Sequence, residues 1–158
     1  MKKFLIRFLF AVVVLTGSSS LQAQAESTVY FFLDFMNFIP EYMVKINGED
    51  GFTLTPKGIS LSKGAEPVLY NMCARKIIFE KSDSYVLSID CATPKTVYHA
   101  DLNLNLEDGE TYYVLCNGRV GKAFYMEVVP EEKGLKLLKK AQKSKKYTIN
   151  EDYVYKAK

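Results

Sequence analysis

The fold class is decided by one stretch, residues 102–116, which reads LNLNLEDGETYYVLC. Its leucines alternate with asparagines, and this period of two predicts a strand with one apolar and one polar face. A turn follows, and a second strand begins at a pair of tyrosines. Leu106, Gly109 and Tyr112 have the spacing L-x-x-G-x-x-Y, which is typical of the tyrosine corner of Greek-key β-sandwiches. In that motif the tyrosine hydroxyl is hydrogen-bonded to backbone a few residues upstream, where the chain crosses between two sheets.

Similar short patterns, separated by turn residues, continue on both sides of this stretch. They predict strands at 28–35, 42–46, 52–55, 75–80, 85–91, 95–106, 111–116 and 122–129. An Asn-Gly pair at 47–48 predicts a tight hairpin between the second and third strands. The first strand, TVYFFLDF, is apolar on both faces, which is typical of a strand that is buried on two sides. We therefore expect a mainly β protein, an antiparallel β-sandwich.

The periodicity changes after Pro130. Leu135, Leu138 and Ala141 recur at helical spacing with lysines between them, which predicts one amphipathic helix from about 130 to 143. An early proline and acidic residues suit the first turn of a helix, and lysines suit the last. Residues 147–149 and 153–155 are predicted to form an edge strand or an ordered tail. We expect a β-sandwich at 26–130, with the basic C-terminal helix and tail of 131–158 packed on the same domain.

The first 25 residues have the pattern of an export signal. Two lysines precede an apolar run at 8–15, and Ala23-Gln24-Ala25 has the A-x-A form of a cleavage site. A membrane anchor would require about 20 apolar residues, and Arg7 interrupts the candidate run. We predict a signal peptide that is cut after Ala25, a mature chain without a transmembrane segment, and a periplasmic or secreted location.

The net charge of +3 belongs to this signal. Without it the chain has 18 basic and 18 acidic residues, and they are unevenly distributed, because residues 26–130 carry a net charge of −5 and residues 131–158 one of +5. An acidic body, and lysines without interleaved aromatic residues, argue against nucleic acid as a partner. The basic helix can make weak contact with an anionic surface; alternatively, its lysines are solvated while its leucines pack on the domain.

Several structural motifs occur in a fixed order: an aromatic first strand at 29–32, a V-x-I-N-G hairpin at 44–48, an L-x-L-x-L strand, a G-x-x-Y-Y start at 109–113, and a closing helix. This order resembles a family of small exported bacterial domains of unknown function, which are prealbumin-like and similar in style to PEGA and carboxypeptidase-regulatory-like modules. The resemblance implies a prealbumin-like or immunoglobulin-like sandwich, a cell-envelope setting and no known catalytic residues. The chain departs from the family between its first two strands, where polar loops are usual.

Candidate catalytic residues are few. His99 shares a strand face with Asp101, but no G-x-S-x-G or comparable nucleophile motif accompanies them, so we interpret His99 as an exposed strand histidine. One histidine and three scattered cysteines give no metal-ligand spacing, and no glycine-rich phosphate loop is present. We predict no catalytic, cofactor or metal site. A hydrolase with a dispersed acidic site stays open, because any two carboxylates can meet in a fold.

The three cysteines would lie in a compartment that permits disulfides. Cys91 and Cys116 both end strands with inward apolar patterns, so they are candidates for a disulfide that leaves Cys73 over. The alternative is three buried thiols that behave as small apolar side chains.

The connection between the first two predicted strands is unusually apolar. Loops usually lie on the surface and carry function, so exposed apolar side chains here would form a patch for a partner. The alternative is a plug over the open end of the sandwich. The residues of the predicted patch are Phe35, Met36, Phe38, Ile39, Tyr42 and Met43.

Taken together, these patterns favour an exported, non-catalytic interaction module whose partner is an envelope protein or polymer. Two other functions stay open, a hydrolase with a dispersed acidic site and a surface-associated or assembly subunit that uses its edge strands.

Overall fold

The computed structural model describes residues 25–36, 38–60, 62–67, 69–92, 97–118 and 124–157. The predicted signal peptide therefore lies outside the described residues, apart from Ala25. The described residues form twelve strands and one helix. In chain order they are β1 (Ser27–Leu33), β2 (Tyr42–Ile46), β3 (Glu49–Leu54), β4 (Gly58–Ile59), β5 (Leu69–Tyr70), β6 (Met72–Phe79), β7 (Ser84–Ala92), β8 (Val97–Asn105), β9 (Thr111–Asn117), β10 (Tyr125–Val128), α1 (Glu131–Lys143), β11 (Tyr147–Ile149) and β12 (Tyr153–Tyr155).

The predicted mainly β class with one C-terminal helix is confirmed. A six-stranded sheet has the order β10-β9-β1-β6-β11, and β12 pairs with the second half of β6, beyond β11. A four-stranded sheet has the order β3-β2-β7-β8, and β4 and β5 form a separate short ladder. The β2–β3 hairpin turns at Asn47 and Gly48, whose φ angles of 53° and 81° are those that an Asn-Gly hairpin requires.

The larger core contains buried side chains from strands of both sheets. Alternation along each strand puts every second side chain into it, as the strand patterns predict. From β1 it takes Val29, Phe31 and Leu33, and from β8 it takes Ala100 and Leu104. The remaining buried members come from β2, β3, β6, β7, β9 and β10 and from Leu106: Tyr42, Val44, Ile46, Phe52, Leu54, Cys73, Ile77, Phe79, Tyr85, Leu87, Ile89, Leu106, Val114, Cys116 and Met126.

A second core lies on the other face of the six-stranded sheet, under the helix. Phe32 of β1 is buried there, so β1 is covered on both faces, as its uninterrupted apolar sequence predicts. Leu137 and Ala141 pack from the helix onto this face. Gly134 brings the helix backbone against the ring of Tyr113, because a Cβ at this position would lie 2.1 Å from Cγ of that ring.

The prediction of an antiparallel sandwich is wrong at three strand pairs. β1 runs parallel to β9, and β6 runs parallel to both β11 and β12. The reason is the route of the chain. The turn after β8 leaves the four-stranded sheet and starts β9 at the same end of the six-stranded sheet as β1, where the Thr28 N–H donates to the Glu110 carbonyl at 3.0 Å.

The described residues contain no helix that is both long and apolar enough to cross a bilayer.

Candidate functional site

The corner between β8 and β9 is the first predicted motif that the structure describes in atomic detail. The backbone N–H of Glu107 donates to the Tyr112 hydroxyl at 2.9 Å, and Gly109 has a φ of 78°. Ser27 at the start of β1 donates its hydroxyl to the Glu107 carbonyl at 2.7 Å. Leu106 is buried and Tyr112 is half-buried against the larger core. These contacts are structural, and they fix the end of the molecule that is remote from the apolar connection.

The apolar connection lies at the opposite end, and three of its side chains turn inward. Tyr42 is only 1% exposed, and Phe35 and Ile39 pack against the larger core. The Phe35 ring lies edge-on to the rings of Tyr42 and Phe124, with centroids 6.4 Å and 5.8 Å away. These residues close the end of the core, as the plug interpretation requires.

The other three side chains of the predicted patch turn outward. Phe38 is 71% exposed, Met36 is 42% exposed and Met43 is 38% exposed. The six residues therefore do not form one surface, because the segment has an inner row and an outer row. Phe35, Ile39 and Tyr42 anchor the backbone of this segment on the core. Met36 and Phe38 are therefore held in solvent. We call the pair Met36 and Phe38 the apolar tip.

Asp34 joins this end of β1 to the helix and to β11. Lys140 Nζ lies 2.8 Å from Asp34 Oδ1, and the Tyr147 hydroxyl donates to the same oxygen. Lys140 Nζ also lies 5.5 Å from the centroid of the Tyr147 ring. Burial raises the pKa of Tyr147 far above its ordinary value, and the hydrogen bond to Asp34 raises it further. Tyr147 therefore stays protonated and keeps its donor directed at the carboxylate.

A basic surface borders this contact. A shallow depression of about 400 Å³ is lined by Lys136, Lys139, Lys140, Lys143 and Ser144. Lys136 is paired with Glu132 at 2.7 Å, and Lys140 with Asp34. Within the described part of the chain, no carboxylate within ion-pair distance is found for Lys139, Lys143, Lys145 or Lys146. We call these four residues the lysine cluster.

His99 lies on the outer face of the four-stranded sheet, between two carboxylates. Its Nδ1 is 2.6 Å from Asp90 Oδ1 and its Nε2 is 2.8 Å from Asp101 Oδ2. Both contacts raise the pKa of His99, with the Asp90 bond the larger cause. A hydrogen bond from Ser88, and then the contact with His99, lower the pKa of Asp101. Both ring nitrogens are thus engaged by carboxylates, and Ser88 bonds to Asp101 rather than to the imidazole.

The predicted disulfide between Cys91 and Cys116 stays a prediction, because the Cys91 side chain lies outside the description. Their strands belong to different sheets, with Cys91 on β7 and Cys116 on β9. Cys73 is a free, buried thiol in the larger core, and burial raises its pKa to about 12. It is therefore an inert apolar group at neutral pH.

Among the described residues, no group of three His, Cys, Asp or Glu side chains has the arrangement of a metal site. Comparison with models of protein families, with curated proteins and with solved structures finds no match for this chain.

Sequence reasoning identified the apolar connection and the basic helix as separate features and missed that Asp34 joins them. One signal was present, since Asp34 is the only charged residue in the apolar stretch 28–40. Its partners, Lys140 and Tyr147, lie more than a hundred residues further along the chain, and no local pattern connects positions so far apart.

Proposed function

We propose that the protein is an exported, non-catalytic interaction module of the cell envelope, and that its binding surface is the apolar tip. The observation that carries this proposal is the 71% exposure of Phe38 on a segment in which Tyr42 is buried and Phe35 and Ile39 pack against the core. A single exposed apolar residue is ordinary. An exposed aromatic ring and a methionine beside side chains that pack on the core are typical of a surface that a partner covers.

The fold that supports this surface is proposed to be a prealbumin-like or immunoglobulin-like sandwich. A core shared by two sheets and a corner tyrosine bonded to upstream backbone support this assignment. The parallel pairs of β1 and β6 are the departure from it. The resemblance to small exported domains, the cleaved signal and the periplasmic or secreted location belong to the same proposal.

The geometry around His99 does not favour a hydrolase that uses this histidine; the alternative of a dispersed acidic site stays open. A hydrolytic histidine needs one free nitrogen that can reach a nucleophile or a water. Both nitrogens of His99 are bonded to carboxylates, and both carboxylates and the ring are about half exposed. This arrangement is a hydrogen-bonded row across β7 and β8 on a solvated sheet face.

An assembly subunit is the second candidate function, and one observation favours it. Strand β8 ends the four-stranded sheet and pairs with β7 over nine residues without a register shift. Strand β10 of the other sheet packs beside part of β8, and the remainder of this edge can accept another strand. Val97, at the start of β8, is strongly exposed.

Two neighbouring substitutions test the binding surface. Phe38→Ser removes an exposed ring and should change the free energy of unfolding by no more than about 0.5 kcal/mol. Ile39→Ser removes a side chain that packs on the core and should cost about 2 kcal/mol. Urea unfolding measures both. Quantitative capture from envelope extract, and sedimentation for self-association, should show loss of binding for Phe38→Ser alone. A stable Phe38→Ser variant that binds and associates like the parent would refute the proposed surface.

A further inference from the structure

The apolar tip and the basic surface lie at the same end of the molecule. The ion pair between Lys140 and Asp34, 2.8 Å long, fixes the helix beside the residue from which the apolar connection starts. Met36 is two residues from Asp34 and Phe38 is four. Since an extended chain spans at most about 3.6 Å per residue, their Cα atoms lie within about 7 Å and 14 Å of the Cα of Asp34.

The last turns of the helix carry several lysines close to this end. Lys136, Lys140 and Lys143 follow one another at steps of four and three residues, which places them on one flank of the helix. Lys140 reaches Asp34 from the edge of that flank, and the flank is exposed on the side of the helix away from its buried residues. The lysine cluster continues the positive charge past the end of the helix to Lys146.

Positive charge is concentrated in the C-terminal segment, and five of its lysines, at 139, 140, 143, 145 and 146, lie in the last turns of the helix or between the helix and the start of β11, near Asp34. Residues 131–158 carry a net charge of +5, and residues 26–130 one of −5. An anionic surface would therefore attract the part of the molecule around the end of the helix more strongly than the acidic body, which favours one orientation of approach.

We propose that this end binds the surface of an anionic lipid bilayer. The inference rests on the proposed function and names the partner of the same surface. Phe38 and Met36 would enter the boundary between headgroups and acyl chains, and the lysine cluster would contact anionic headgroups. A soluble polyanion would need only the lysines, and a protein patch would need only the tip. A bilayer surface uses exposed apolar side chains and lysines side by side.

Co-sedimentation of the full chain with vesicles tests the proposal. Binding is compared between vesicles of phosphatidylcholine mixed with phosphatidylglycerol and vesicles of phosphatidylcholine alone. We expect binding to the mixed vesicles only, and weaker binding as salt is raised, because salt screens the lysines. The double variant Lys139→Gln, Lys143→Gln should lower the partition coefficient by about 30-fold, at about fivefold per lysine. Phe38→Ser should lower it by about tenfold.

Two matched controls lie away from this end. Lys81 follows β6 at the opposite end of the six-stranded sheet, and Val86 is exposed on β7 of the other sheet. Lys81→Gln and Val86→Ser should bind like the parent. If a helix variant is unstable, the salt dependence of the parent still decides the role of the charges.

Equal binding to both vesicle types, or none to either, would overturn the lipid proposal. The lipid proposal would also be overturned if the protein binds soluble polyphosphate but not vesicles, and if Phe38→Ser leaves the polyphosphate binding unchanged. Capture of a protein that depends on Phe38, without vesicle binding, overturns the lipid partner and leaves the interaction module intact. If the folded parent neither binds vesicles nor captures a protein, the interaction module is refuted as well.

Discussion

At the corner before β9, one hydrogen bond connects the two strands of the deciding stretch. The Tyr112 hydroxyl accepts from the Glu107 N–H at 2.9 Å, and Ser27 secures the same residue from β1 by bonding to its carbonyl. Three separate parts of the chain meet at Glu107 as a result. The neighbouring Tyr113 has a different role, because its ring stacks on Tyr30 at 5.6 Å and supports the helix.

Tyr112→Phe should therefore lower the free energy of unfolding by about 1 kcal/mol. The substitution leaves the Glu107 N–H without its acceptor at a site that water partly reaches. The expected loss is the usual net contribution of a single hydrogen bond. Tyr113→Phe is the matched control and should cost less, since the ring does the packing. Urea unfolding of both variants measures the difference. Equal losses of stability for the two variants would show that the Tyr112 hydroxyl does not stabilise the corner.

Among the elements, the helix packs on the sheet at Gly134, a residue type with low helix propensity. Gly134 lies inside α1, where alanine would favour the helical conformation by about 1 kcal/mol. It is also the point at which the backbone approaches Tyr113, and a Cβ there would lie 2.1 Å from the ring. A contact that close forces the ring or the helix to move.

Gly134→Ala should thus destabilise the protein by about 1 to 3 kcal/mol, the usual cost of overpacking. Gln142→Ala, at an exposed position of the same helix, is the control and should be neutral or slightly stabilising. Thermal unfolding followed by circular dichroism compares the two. A higher melting temperature for Gly134→Ala would show that helix propensity outweighs the contact with Tyr113.

The individual elements were largely predictable, because a strand or helix shows its buried face as a period in the sequence. β2 has the predicted limits, and the helix begins within a residue of them. Partners were not predictable in the same way. Nothing local shows that β1 lies between β6 and β9, or that Tyr147 reaches Asp34, since these contacts are selected by the packing of the whole chain.

The candidate site illustrates the same limit. The six apolar residues of the connection were visible in the sequence, but a loop has no fixed period, so the sequence could not say which of them point inward. The structure divides them into three that pack on the core, with Tyr42 buried, and three that are exposed, with Phe38 the most exposed. It also adds the basic flank through the pair of Asp34 and Lys140.

For the molecule as a whole, the last two strands protect an edge. β11 and β12 pair in succession with the first and second halves of β6, the side of that strand opposite β1. Tyr153 and Tyr155 also place their rings against Phe52 and Phe79, with centroids 5.9 Å and 5.3 Å apart. The C-terminal residues are thus part of the sheet and of its core.

A chain that ends at Lys146 should lose several kcal/mol of stability, because aromatic packing on the core is removed. It should also associate in a concentration-dependent manner, since β6 would expose an unpaired edge. A chain that ends at Ala157 is the control and should behave like the parent. Analytical ultracentrifugation and urea unfolding measure both effects. If the truncated chain is stable and monomeric, pairing of β11 and β12 with β6 is not needed for stability or to prevent association.

The position of β1 sets the order in which the protein can fold. This strand leaves the ribosome before either of its neighbours, yet Phe31 lies opposite Arg75 on one side and Val114 on the other. β1 therefore lacks one of its two neighbours until β9 has been made, and the outer edge of β6 stays open until β11 and β12 have been made. Because the entropy of closing such long loops is lost before pairing compensates for it, we expect these distant pairs to slow folding. During synthesis the apolar first strand is thus incompletely paired until β9 has emerged, and in that interval it is the kind of segment that a chaperone binds.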